Sequence, residues 1–94
     1  MAESIAENIV AQRLAACVNI FPNVSSVYQW QGNIESAAEC LMLIKSHAEK
    51  FDSLQNTITS MHPYEVPELI AFDIERGLPS YMQWLSKSIF DKTN

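Results

Sequence analysis

Apolar positions recur with a helical period at the start of the chain. Ala2, Ile5, Ala6, Ile9 and Val10 fall at i, i+3, i+4, i+7 and i+8, while Glu3, Ser4, Glu7, Asn8 and Gln12 form the wet face. This predicts a helix over 2–16, with Glu3 and Glu7 early, where the helix dipole favours anions. The period then drops to two. Residues 17–31 read as a long strand, with Val24, Ser26, Tyr28 and Trp30 on one face and Ser25, Val27, Gln29 and Gln31 on the other. Phe21-Pro22-Asn23 breaks or kinks it and marks an edge or a bulge, because proline has no ladder donor. Gly32-Asn33 supplies turn chemistry, and a second strand returns to about Lys45. Cys40, Met42 and Ile44 alternate there with Leu41, Leu43 and Lys45, so its centre is apolar on both faces, the pattern of a strand covered on both sides.

Ser46-His47-Ala48-Glu49 matches a capping box and opens a second helix, whose buried stripe is Phe51, Leu54, Ile58 and Met61. His62-Pro63 ends it, since a residue before proline avoids helical geometry. A loop from Pro63 to Pro67 leads to a predicted strand at Leu69–Ile74, with Ile70, Phe72 and Ile74 on one face. Arg76-Gly77-Leu78-Pro79 is a turn, and a last helix buries Tyr81, Trp84, Leu85 and Ile89. Asp91–Asn94 is a frayed tail. The order is α-β-β-α-β-α in a single α+β domain over 1–94, with an antiparallel hairpin and the main helices on one sheet face. The other face keeps apolar residues that this chain has little left to cover, so a homo-oligomer is expected.

Composition narrows the function classes. The chain is 48% hydrophobic and 18% charged, which excludes a disordered tail. Its net charge is −5, and the basic residues Arg13, Lys45, Lys50, Arg76, Lys87 and Lys92 stand singly, so no nucleic-acid or anionic-membrane partner is expected. No apolar run approaches a membrane span of about 20 residues, and Met1-Ala2-Glu3-Ser4 shows no signal peptide; a cytoplasmic protein is expected. The two cysteines, Cys17 and Cys40, are too few for a disulfide scaffold and read as buried, reduced thiols.

Few residues carry chemistry. His62, beside Met61, is the sharpest: an imidazole ligates copper or zinc, and a thioether prefers copper(I). The plainer reading of the same histidine is a cap for the carbonyls of the second helix. His47, in the first turn of that helix, reads as exposed. Cys17 and Cys40 are copper ligands as thiolates and core residues as thiols. Glu65 and Glu68 flank Val66-Pro67 and read either as an acid–base pair or as a solvated loop. Tyr28-Gln29-Trp30 and Tyr81-Met82-Gln83-Trp84 are aromatic clusters for a ligand pocket or for packing. No zinc-finger spacing, nucleophile elbow or glycine-rich phosphate loop is present.

Four motifs now stand in order: Arg13-Leu14-Ala15-Ala16-Cys17-Val18-Asn19, Tyr28-Gln29-Trp30-Gln31-Gly32-Asn33-Ile34-Glu35, His62-Pro63-Tyr64-Glu65-Val66-Pro67-Glu68 and Tyr81-Met82-Gln83-Trp84-Leu85. In this the chain resembles the CutA family of divalent-cation tolerance proteins over nearly its whole length. The resemblance implies a ferredoxin-like antiparallel sheet, a homotrimer with hairpins reaching between subunits, metal ions (copper in particular) as partners, and no enzymatic reaction or obligatory cofactor. It implies an alternative as well, a trimeric sensor or scaffold of the PII type, with Tyr28, Trp30, Tyr64, Glu65 and Trp84 lining a cleft between subunits. The family pattern begins with a strand, whereas this chain begins at the helix. The expectation is a sheet without its central strand, with unpaired ladder groups and exposed apolar area. The family's copper ligands are ascribed to a cysteine in that strand and a His-His pair. Here His62 remains and Met61 takes the other place, while Cys17, in the first motif, is a weaker ligand candidate.

Overall fold

In the computed structural model of the protein, residues 1–62 and 67–91 are described. The opening stripe forms α1, Ala2–Ala11, which stops five residues short of position 16. Arg13 ends it. Its φ of 60° is left-handed, its N–H donates to the Val10 carbonyl at 3.0 Å, and the Leu14 N–H reaches back to Ile9 at 2.9 Å. This is a Schellman ending with arginine where glycine is usual, and its apolar contact is supplied by Leu14 and Ile9, both in the core. Leu14 and Ala15 are therefore buried beyond the helix rather than on it.

Two strands follow, β1 (Cys17–Trp30) and β2 (Asn33–Lys45), paired antiparallel from Cys17–Lys45 to Trp30–Asn33. The turn between them is Gln31-Gly32, with φ of 50° and 83°. Positive φ at both central residues is the type I′ geometry whose twist suits a two-residue hairpin. At Pro22-Asn23 the register slips by one residue: Phe21 opposes Leu41, but Val24 opposes Glu39. Asn23 is left-handed, with φ of 59°. The extra residue makes a β-bulge and inverts the side-chain alternation of β1 beyond it. Val24, Ser26, Tyr28 and Trp30 thus share a face with Leu41, Leu43 and Phe21, and not with Ile20 and Val18.

The second helical region starts as a 3-10 turn, Ala48–Lys50, and continues as α2, Phe51–Met61. The capping box is not formed. His47, half-buried rather than exposed, is the cap: its Nδ1 accepts the Glu49 N–H at 3.1 Å. The Ser46 hydroxyl is already committed, donating to the Leu14 carbonyl at 2.5 Å and tying the end of α1 to the start of α2. The last helix, α3, spans Pro79–Phe90 with proline in its first turn, where a missing N–H costs nothing.

The sheet contains β1 and β2 alone among the described residues, and the predicted strand at Leu69–Ile74 is not formed. Its apolar alternation is real, but a strand is defined by a partner, and the described residues supply none. The fold class is α+β, as expected, with three helices and one hairpin among the described residues. Helices α1 and α2 cover one face of the hairpin base. Ile5, Ile9, Leu14, Ala15, Leu54 and Ile58 form the core, with Val18, Met42, Ile44, Met61 and Leu69 packed against it. Leu85 and Ile89 are buried on α3, whereas Tyr81 and Trp84, expected inside, are exposed. They lie on the neighbouring stripe of the helix with their rings in contact, centroids 5.5 Å apart and planes tilted by 37°.

Candidate functional site

The end of α2 carries the leading candidates. His62 leaves the helix in an extended conformation, φ −87° and ψ 136°, as a residue before proline must, while its N–H still bonds the Ile58 carbonyl at 2.9 Å. Its side chain is half-buried. Met61 is half-buried too, but it packs against the core. Cys17 opens β1 opposite Lys45, on the sheet face turned away from the helices, and is half-buried. Cys40 is exposed and not a core thiol, because it lies opposite the bulge. The register places the two cysteines on opposite faces of the sheet.

Among the described residues, no three histidine, cysteine, aspartate or glutamate side chains gather closely enough to hold a metal ion. One copy of the described chain therefore offers single donors, not a finished coordination sphere.

The aromatic residues divide between two places. Tyr28 and Trp30 sit near the hairpin tip, opposite Glu35 and Asn33. Trp84 lies on α3, where its ring partner is Tyr81. Tyr64 and Glu65 lie outside the described residues, so the proposed pairing of Glu65 with the exposed Glu68 does too. Two open grooves border α1. One is lined by Val10, Ala11, Arg13, Ala15, Ala16 and Ser88, the other by Ala6, Glu7, Val10, Ala11 and Val18. None of the described cleft candidates lines either.

Sequence reasoning missed how the bulge gathers an apolar surface. Phe21, Tyr28, Trp30, Leu41 and Leu43 are 41–59% exposed and lie on the same side of the hairpin, away from α1 and α2. The signal is Pro22-Asn23: an edge or a bulge is legible there, and the change of phase that a bulge brings is the part that sequence reasoning left out. A second omission is the anchoring of α3. The His47 ring meets Phe90 edge-on at 5.0 Å, Lys50 Nζ lies 5.3 Å from the centroid of Phe90, and Arg13 Nη1 donates to the Asp91 carbonyl.

The sequence model of the CutA1 divalent ion tolerance protein matches residues 1–88. The chain belongs to the CutA1 family. It is 45% identical over 85 residues to Protein CutA of Mus musculus, covering 90% of this chain and 48% of that protein. To the divalent-cation tolerance protein CutA of Thermus thermophilus it is 41% identical over 88 residues, covering 94% and 85%. The chain thus spans about half the length of the mouse relative. Among solved structures, CutA1 from Oryza sativa superposes with a TM-score of 0.90 at 38% identity, covering 97% of this chain and 84% of that one. The PII-like protein CutA from Nostoc superposes with a TM-score of 0.83 at 31% identity, covering 93% and 85%. The relatives carry tolerance names or the CutA name and none names a reaction. In this CutA1 chain the first motif is the Schellman ending and the start of β1, the second is the hairpin tip, and the fourth lies on α3.

Proposed function

We propose that the protein acts in divalent-cation tolerance as a cytoplasmic homotrimer that binds metal ions, copper first among them, and catalyses no reaction. The family match over residues 1–88 carries the tolerance role. The apolar outer face of the hairpin supports the assembly, because Phe21, Trp30, Leu41 and Leu43 are a sheet face in want of a second surface. His62 is the ligand on which this reading rests. Met61 is the weaker member of the pair, since reaching a metal would take its thioether off the core, and Cys17 is weaker still. The donors in one copy are too few, so coordination would be completed between copies.

The test is a copper(I) titration against a competing chelator under reducing conditions, on the protein and on His62→Ala, with the mass in solution measured alongside. Binding that weakens at least tenfold in the variant, in a particle of three copies, is expected. Equal binding by both proteins would remove His62 from the site. Affinity no greater than that of an unrelated acidic protein would overturn direct metal binding. Thermal stabilisation by a metabolite, unaffected by His62→Ala, would move the weight to the sensor of the PII type.

A further inference from the structure

Helix α3 is fastened to the rest of the chain at its C-terminal end. It buries two side chains, Leu85 and Ile89, and neither belongs to the core of Ile5, Ile9, Leu14, Ala15, Leu54 and Ile58. Its last residues are held from two sides. The start of the 48–61 helical region supplies His47, whose ring meets Phe90 edge-on at 5.0 Å, and Lys50, whose Nζ stands 5.3 Å from the centroid of the same ring. The end of α1 supplies Arg13, which donates to the Asp91 carbonyl. A helix held in this way can open as a unit while the core stays closed.

His47 joins two parts of the fold through one ring. Its Nδ1 accepts the Glu49 N–H at 3.1 Å, so the same side chain holds the start of the 48–61 helical region and the end of α3. Accepting there requires that Nδ1 carry no proton. We propose that His47 is a proton-operated latch for α3, closed while the ring is neutral and opened when Nδ1 is protonated. A proton on Nδ1 turns the acceptor into a donor facing the Glu49 N–H, and the ring must turn to separate the two. Turning takes it out of its edge contact with Phe90. The added charge also lies at the N-terminal end of a helical region, where the dipole opposes it. The charged groups around the latch, among the described residues, are Glu49 and Lys50 on its own element, Lys45 at the end of β2, Lys87 and Asp91 at the end of α3, and Arg13. Four of the six are cations, so the field opposes a fifth. The attraction that an imidazolium would gain is that of the Phe90 ring for a cation, and Lys50 already takes it. Histidine changes charge between about pH 5 and 8, so docking is strongest above that range and weakens as pH falls through it. Opening exposes Leu85 and Ile89 and withdraws Ser88 from the groove beside Arg13 and Ala16.

Amide hydrogen exchange, divided by the intrinsic rate at each pH, reads the opening. Between about pH 7.5 and about pH 5.5 the protection of the amides in the second half of α3 should fall at least threefold relative to those of α1. His47→Asn keeps an acceptor at the cap and has no proton to gain, so its ratio should stay flat. His62→Gln, which removes the other histidine, should respond as the parent does. In the unaltered protein, nuclear magnetic resonance should show the Phe90 ring signals moving with the titration of the His47 ring. The proposal is overturned if α1 and α3 lose protection together or not at all. It is also overturned if His47→Asn still responds, which would assign the effect to Glu49, Asp91 or another group, or if the Phe90 signals stay fixed while His47 titrates. Copper titration reads none of these outcomes, so failure here leaves the His62 reading standing, and the reverse.

Discussion

Replacing Arg13 by glycine and by alanine separates two opposed effects at one residue. Arg13 sits at φ 60°, where a Cβ crowds the backbone at a cost of about 1 kcal/mol, and glycine escapes that cost. Its guanidinium also donates to the Asp91 carbonyl at the end of α3, a half-buried hydrogen bond of about 1 kcal/mol. Arg13→Ala loses the bond and keeps the strain, so it should destabilise by about 1 kcal/mol. Arg13→Gly loses the bond and sheds the strain, so it should lie within about 0.5 kcal/mol of the parent. Urea unfolding with unchanged m-values would give both numbers, and about 1 kcal/mol corresponds to a Tm gap of about 4–8 °C between the variants. The reasoning fails if alanine equals or exceeds glycine, because a left-handed residue cannot prefer a Cβ.

Two further substitutions probe the joints of the fold. His47→Ala removes the acceptor for the Glu49 N–H and the edge contact with Phe90, and should cost about 1 kcal/mol in urea unfolding. Gln31→Asn gives the type I′ turn its preferred Asn-Gly pair and should raise stability by about 0.5 kcal/mol, seen as a higher Tm, whereas a fall would mean that the Gln31 side chain is used elsewhere.

The elements legible in the sequence are those whose signal is local. The stripe of α1 and those of α2 and α3, the turn at Gly32 and the helix stop before Pro63 each depend on residues within a few positions. The hairpin was legible for the same reason, since its two strands adjoin. What was not legible depended on distant groups. Leu14 and Ala15 carry the apolar pattern of α1 on towards position 16, but they are buried after the chain reverses at Arg13. Ser46 stands where a capping box predicts a cap, yet its hydroxyl goes to Leu14, 32 residues away. At the candidate site, sequence named the donor types but not their directions: Met61 packs on the core beside its partner His62, and Cys17 lies on the far face of the sheet.

By itself, then, the sequence determined the family, the α+β class and the order of the helices and the hairpin, because periodicity and motif order are written residue by residue. Tertiary structure alone decided which face each strand residue occupies beyond the bulge, and left 69–74 without a partner among the described residues. One extra residue in β1 turns Tyr28 and Trp30 to the outer face, and a ladder needs backbone groups that neighbouring residues cannot supply.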